Sequence, residues 1–425
     1  VKIIVPVILL LLIPFMADAG DIIKKGELLS IERCIEIALG NHPNIIASAY
    51  TVAVNRSRVG QSEADYYPRL DWTSGYSRTS PVSGTGADDS ADSFDQYTSS
   101  VTLNQNIYDF GKTSTQVRIE NLNLDSARSD LRNVSEQVVL NVRQAYYGVL
   151  AARRNRVVAA DSVKQFQQHL EQAKGFFEVG TKPKFDVTKA EVDLSNSKLN
   201  LIKAENTLRI AFVTLNNAMG FPAAPEYDVE DNLSFQAYMI TFEDALERAY
   251  KDRPDLASAL LKKRAAEGSV KLAEKGYFPV LTGNASYSKG GEDFPLSDGW
   301  DAGVKLSFPI FSGFLTKYQV EESKASLNVL GANEELLRQT VFLEVQQAYL
   351  NLKQAEESIP VAELTVRQAE ENLDIANGRY AAGAGSPIEV TDAEVSLINA
   401  KTSYIQALYD YKIAIASLEK AMGVR

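Results

Sequence analysis

Few side chains in this sequence could do covalent chemistry, and their spacing argues against it. The two histidines, His42 and His169, stand 127 positions apart and the single cysteine is Cys34, so they cannot build a zinc site of the usual type unaided. Cys34 has no second cysteine to bridge to and reads as a small buried hydrophobe. Gly111-Lys112-Thr113 follows a strand-like stretch and precedes a helical one, as a phosphate-binding loop does, but that motif needs glycine at position 106 and the chain has Asn106. The later junction Phe311-Ser312-Gly313-Phe314 lacks the lysine altogether, so Gly111 and Gly313 read as strand-to-helix turns. With no paired histidines and no nucleophile elbow, no catalytic residue, metal or cofactor is expected.

Carboxylates remain. Glu389 and Asp392 are three apart, so they share one helix face, continued by Ser396, Asn399 and Ser403 and turned away from Ala393 and Leu397. Ser386-Pro387-Ile388-Glu389 is also a capping box with proline at the first helical position, which by itself accounts for a glutamate there. A second role for Glu389 is compatible with capping. Asp392 lies past the cap, and for it a role beyond capping leads.

The elements that must position these acids begin with an export signal. Lys2, the apolar run Ile3 to Phe15 and then Ala17-Asp18-Ala19 read as a secretory signal peptide over residues 1–19. The run is shorter than the ~20 apolar residues of a membrane-spanning helix, and no such run occurs elsewhere. The formal charge of −11, from 44 Lys and Arg against 55 Asp and Glu, argues against a nucleic-acid partner, because that affinity comes from clustered cations displacing counterions. The 45% apolar content excludes disorder as the main state.

An internal duplication organises the rest. Asn41-His42-Pro43-Asn44 recurs as Asp252-Arg253-Pro254-Asp255, and Tyr66-Tyr67-Pro68-Arg69-Leu70 as Tyr277-Phe278-Pro279-Val280-Leu281, both displaced by 211 positions. Further on, Ala145-Tyr146 matches Ala348-Tyr349, Gly180 matches Gly383 and Ala218-Met219-Gly220 matches Ala421-Met422-Gly423, all displaced by 203. The eight residues lost between the two registers fall in the Gly-, Ser- and Asp-rich stretches Ser80 to Asp95 and Ser288 to Gly299, where a loop tolerates deletion. The expected organisation is residues 20–220 as a first structural repeat, 221–239 as a linker and 240–425 as a second repeat.

Each copy changes period in the same order. Leu70, Trp72, Ser74 and Tyr76 alternate with Asp71, Thr73, Gly75 and Ser77, and Val101, Leu103, Gln105 and Ile107 alternate with polar residues across the loop. The second copy repeats this at Leu281 to Tyr287 and Trp300 to Phe308. Period 2 with one apolar and one polar face predicts strands, and strands of about ten residues suit an outer-membrane barrel. Trp72, Tyr76, Tyr97, Tyr108, Tyr287, Trp300, Phe308 and Phe311 lie in or near these strands and are candidate membrane-interface aromatics; an ordinary sandwich core is the competing reading.

From Lys112 to Gly180 and from Phe314 to Gly383 the pattern is helical, and some 69 residues make a rod on the order of 100 Å. A partner helix returns from each glycine. Its seam alternates steps of three and four through Leu194, Ser197, Leu201, Ala204, Leu208, Ala211, Leu215 and Ala218, and again from Leu397 to Ala421. Four strands cannot close a barrel, and an open edge in lipid leaves backbone groups unpaired. Two chains would give a filled eight-stranded barrel, whereas three give twelve strands and a channel. In that assembly Glu389 and Asp392 become rings of three carboxylates, which select cations at a constriction.

The signal peptide, the duplicated helix-hairpin-helix order, the repeated prolines and Ala-Tyr pairs, the tips Phe177-Glu178-Val179-Gly180 and Tyr380-Ala381-Ala382-Gly383 and the closing Ala-Met-Gly together resemble the TolC family of outer-membrane efflux ducts, over roughly Leu29 to Gly423. The resemblance implies a mixed α and β membrane protein: a homotrimer with a shared 12-stranded β-barrel, four strands per chain, joined to a long periplasmic α-helical coiled-coil barrel. It implies a passive exit duct of an efflux or type I secretion system in the bacterial outer membrane, not an enzyme. Its partners would be a periplasmic adaptor (membrane fusion protein), an inner-membrane pump of RND, ABC or MFS type, and outer-membrane lipid.

By the same resemblance, Asp392, Glu389, Asp186 and Tyr380 belong to a periplasmic gate. Gly180, Thr181, Lys182, Pro183, Gly383, Ala384, Gly385 and Ser386 are the tips that an adaptor would grip. Asp186 matches Glu389 but Lys189 matches Asp392, so the acidic ring is expected from the second copy. Gly385 stands where the family often carries a basic residue, which implies a more loosely held closed state. Walls of Ser, Asn, Asp and Thr form no shaped pocket, so drugs, metals, peptides and folded toxins are all compatible cargoes.

Overall fold

The computed structural model describes residues 23–80 and 93–424. The signal-peptide reading of residues 1–19 and most of the Ser80 to Asp95 loop lie outside them. Strand β1 (Leu28–Leu29) leads into α1 (Ile31–Asn41), α2 (Pro43–Glu63), β2 (Arg69–Thr79), β3 (Phe94–Tyr108), α3 (Lys112–Glu178) and α4 (Lys184–Ala218). After β4 (Asp228–Val229) the succession recurs as α5 (Phe242–Asp252), α6 (Pro254–Glu274), β5 (Val280–Gly291), β6 (Ser297–Ser307), α7 (Leu315–Ala381) and α8 (Pro387–Ala421). The long helices α3 and α7 have 67 residues each and the returning helices α4 and α8 have 35 each. Pro360 is accommodated within α7.

Local chemistry explains the matched ends. Ser30 and Thr241 cap α1 and α5, their hydroxyls accepting from Arg33 N (3.3 Å) and Asp244 N (3.1 Å). His42 and Arg253 then leave the helical region, with ψ of 126° and 124°, because each precedes a proline that excludes the α conformation. The duplicated Ala-Met-Gly acquires a reason here. Gly220 and Gly423 have φ of +72° and +71°, and a Cβ on either would lie 2.7 Å from His42 Cα or 2.8 Å from Arg253 Cα. The end of each returning helix therefore abuts the backbone of its own repeat's helix break, an approach open to glycine alone.

The chain divides into two compact units, and neither coincides with a repeat. One takes Val138–Ala237 and Gln354–Ile413 with the residues up to His42; the other takes Pro43–Gln137, Tyr238–Lys353 and Ala414–Arg425. The second unit holds a four-stranded antiparallel sheet in the order β2-β3-β5-β6, with a register shift at Asn106 and Tyr108. Cross-strand partners share a face, so Trp72, Val101, Tyr287 and Trp300 form one apolar row, and Asp71, Thr102, Ser286 and Asp301 the polar row on the other face. Among the described residues the outer edges of β2 and β6 have no strand partner.

Sharp turns join sheet to helix. Phe110 and Gly111 both have positive φ (57° and 79°), and Asp109 closes the turn by accepting from Gly111 N (2.8 Å) and Thr113 N (2.7 Å). Lys112 donates to Phe278 O (3.3 Å), a structural bond in place of a phosphate contact. Gly313 and Phe314 turn likewise at the start of α7, with φ of 61° and 67°.

Residues 221–239, expected from sequence as a linker, carry structure of their own. Within them β4 pairs in parallel with β1, and Val229 and Leu233 are buried. The buried Tyr146 hydroxyl donates to Glu230 O (2.7 Å) and Leu29 O (3.3 Å), Arg154 pairs with Asp231 (2.8 Å) and Tyr411 donates to Gln236 O (2.8 Å). The segment lacks helical or strand periodicity because partners distant in sequence satisfy its backbone one group at a time. Cys34 is fully buried, as expected, and burial pushes its thiol up to about 12. The α8 seam is buried at Leu397, Ala400, Ala407 and Tyr411, whereas the α4 seam is only half-buried at Leu201, Ala204, Leu208 and Ala211.

Candidate functional site

The acids and tip residues gather where α3 turns into α4 and α7 into α8, all within the first unit. α3 stops at Gly180, whose φ of +73° lets Thr181 and Lys182 turn back and donate from their backbone nitrogens to Phe176 O (3.0 and 3.3 Å). Pro183 then opens α4 from extended backbone without a side-chain cap. α7 stops the same way at Gly383 (φ +77°), where Ala384 N and Gly385 N both donate to Arg379 O at 3.0 and 2.9 Å.

The second tip carries the capping box legible in the sequence. Ser386 N donates to Glu389 Oε1 and Glu389 N to Ser386 Oγ, both at 3.3 Å. Arg379 adds an ion pair from its Nε to Glu389 Oε2 at 3.2 Å. The Ser386 N–H and then Arg379 hold the Glu389 carboxyl below its ordinary range. Asp392 is exposed one turn on, on the face shared with Glu389, Ser396, Asn399 and Ser403, while Val390, Ala393 and Leu397 are buried on the other.

The matched acid of the first tip behaves differently. Asp186 is only 4% exposed, whereas Glu389 lies at the surface. Lys189, the counterpart of Asp392, is drawn to Asp193 one turn along, with Nζ 2.6 and 2.7 Å from the two carboxylate oxygens. Asp193 also accepts from Thr391 of α8 (2.9 Å), which ties the first returning helix to the second.

Tyr380 is fully buried in a cluster with Leu373, Ala376, Val390, Ala393 and Leu397, and Phe176 stands edge-on to its ring at 5.7 Å. Lys182 reaches across from the first tip, its Nζ 5.2 Å from the Tyr380 ring centre and 3.3 Å from Gly385 O. Position 385 has no room for a basic side chain. A Cβ there would lie 2.9 Å from Tyr380 N and 3.1 Å from Arg379 C. The tip's cations come instead from Lys182 and Arg379. Lys182 was expected only as part of the adaptor-docking tip, and Arg379 did not stand out in the sequence, although it lies ten residues before Glu389, a span that the turn folds back on itself.

The aromatic candidates fall at three levels of the sheet. Tyr108 ends β3, and Phe308 and Phe311 follow β6, all at the helix side. Tyr76 and Tyr97 face each other across β2 and β3 toward the hairpin side, and Trp72, Tyr287 and Trp300 lie in the cross-strand row between those levels. Trp72 and Trp300 are 73% and 79% exposed, far too open for a sandwich core. Tyr97 is half-buried between Tyr76 and Phe294, 5.1 Å from each. Among the described residues, no group of three His, Cys, Asp or Glu side chains could hold a metal ion.

Comparison with known proteins follows the same outline. A family profile described as outer membrane efflux protein matches residues 34–221 and 245–424. The chain is 23% identical to the outer membrane protein TolC of Vibrio cholerae over 401 residues, covering 90% of this chain and 88% of that protein. It is 24% identical to the probable outer membrane lipoprotein SilC of Salmonella typhimurium, covering 92% and 85%. Its fold superposes on the CmeC outer membrane channel of Campylobacter jejuni with a TM-score of 0.78 at 18% identity, covering 92% of this chain and 85% of that one.

Proposed function

The chain belongs to the outer membrane efflux protein family, and from that premise we propose that it is the outer-membrane exit duct of a tripartite efflux or type I secretion system, gated at its periplasmic helix tips. Membership makes it an efflux channel of the bacterial outer membrane rather than an enzyme. In the proposed assembly three copies pool their sheets into a 12-stranded barrel, and the long helices enclose a periplasmic tunnel. The two repeats, residues 20–220 and 240–425, are the units of duplication, and residues 1–19 the export signal.

The carrying observation is the sheet whose outer strands, β2 and β6, have no strand partner on their outer edges among the described residues, with exposed aromatics toward both of its ends. Backbone groups left open in lipid cost several kcal/mol each by the usual estimate of about 2–7, so a lipid-embedded sheet of this kind must mate with its own copies. The aromatics would then form two interfacial girdles.

At the tips, Glu389 and Asp392 would face the tunnel as two rings of carboxylates. Lys182 and Arg379 act as the lock, the first by joining the two tips at Tyr380 and Gly385 and the second by anchoring Glu389. Residues 180–183 and 383–386 are the surface offered to a periplasmic adaptor, which couples the duct to an inner-membrane pump of RND, ABC or MFS type. The test is single-channel recording on detergent-extracted protein in planar bilayers. A trimer that conducts is expected; a detergent-free, soluble, non-conducting monomer would overturn the reading.

A further inference from the structure

His169 lies on α3 at 6% exposure, between Phe166 and Leu170 of the buried cluster that also holds Ala173, Ala190 and Leu194. Neither of its ring nitrogens has a hydrogen-bond partner. Its ring centre is 5.0 Å from that of Tyr380, whose hydroxyl is equally sealed and unpartnered. Two polar side chains orphaned side by side in an apolar seam are an anomaly, because buried polar groups are almost always satisfied and an apolar residue would pack there at less cost.

Charged groups lie on every element around the imidazole. α4 presents Asp186, Lys189 and Asp193. The first tip presents Lys182 over the Tyr380 ring, and α7 presents Tyr380 itself. α8 presents the buried Glu394, which lies against the side-chain amide of Gln165 one turn before His169 on α3. Asp193 is already engaged by Lys189 and Thr391. Asp186 is the carboxylate left to answer a charge on His169.

We propose that His169 is a positioning residue of the gate, seating Tyr380 in the closed tip while neutral and releasing it when protonated, as the imidazolium turns to Asp186 and water. The proton comes from the periplasmic solvent and returns to it. The inference rests on reading Tyr380 and the tips as the gate. Burial holds the imidazole below its ordinary 6.5 in the packed tip, with Asp193 and Asp186 drawing it up and Lys189 pushing it further down. Closure is therefore favoured while His169 is neutral and is lost as pH falls below that ordinary value.

The experiment measures bilayer conductance from pH 7.5 to 5.0 for the native protein, His169→Phe, His169→Gln and Glu394→Gln, with Lys182→Ala at pH 7.5 as the reference for the gate itself. The native protein and Glu394→Gln are expected to open as the pH falls, and both His169 variants to lose that response while still forming trimers. Should one His169 variant fail to assemble, the other carries the comparison. A native conductance flat with pH, or an acid response that survives in either His169 variant, overturns the proposal while leaving the gate intact if Lys182→Ala raises conductance. If Lys182→Ala changes nothing at pH 7.5, the gate reading itself fails and the proposal falls with it.

Discussion

Replacing Gly385 with arginine separates two accounts of the closed tip. On sequence resemblance alone, Gly385→Arg restores a missing cation and should tighten closure. The geometry demands the opposite. A Cβ at 385 would lie 2.9 Å from Tyr380 N, 3.1 Å from Arg379 C and 3.2 Å from Arg379 Cβ. Two of those three atoms are backbone in the last turn of α7 and cannot swing aside, so the turn must move or the loop must open. Overpacking of this kind costs about 1–3 kcal/mol, which is roughly a 5- to 150-fold change in a two-state equilibrium. The displaced turn carries Tyr380, and the loop carries the carbonyl that Lys182 bonds.

Gly385→Arg and Gly385→Ala should therefore both raise the conductance of the resting channel, because the first added carbon does the damage and the guanidinium does not repair it. Planar-bilayer recording at neutral pH provides the assay, with thermal unfolding as a check on assembly. Lower conductance in Gly385→Arg than in the native protein, with alanine at the same site neutral, would falsify the packing argument and reinstate the missing-cation view.

Asp392→Ala should raise conductance or weaken block by divalent cations, since it deletes the exposed acid past the cap; unchanged conductance and block would remove Asp392 from the gate. Glu394 offers a stability test with a definite sign. Burial raises its carboxyl to about 7 from an ordinary 4.5, so the folded state resists ionisation, and stability is fully retained below 4.5 and declines as pH rises toward 7. Glu394→Gln should abolish that loss, unfolding at a higher temperature than the native protein at pH 8 and at the same temperature at pH 4, for a gain of up to about 3 kcal/mol. Equal melting at both values would show that Gln165 already satisfies the carboxylate.

What the sequence disclosed was whatever depends on neighbours along the chain. Alternation at Leu70 to Ser77 marked a strand because side-chain direction flips with every residue. The turns at Gly180 and Gly383 were legible because a helix end requiring positive φ selects glycine, and the Ser386 to Glu389 cap because both partners lie within one turn. Hidden were the features decided by which helix lies beside which. Lys182 bonds a carbonyl 203 positions away, and His169 meets Tyr380 across a separation that no local period encodes. The duplication also misled where it was most persuasive: Asp186 and Glu389 are equivalent by register, yet one is interior and the other capped at the surface. Copies in register have the same backbone but different neighbours, and burial follows the neighbours.

The free margins of β2 and β6 bear on inheritance. A subunit that needs a companion on each flank cannot fail privately: a copy with a spoiled β6 can still dock through β2 and leave the ring unsealed. Lesions in those two strands should then behave as genetically dominant, poisoning assemblies made mostly of sound copies, whereas lesions confined to a tip should dilute in proportion to their dose.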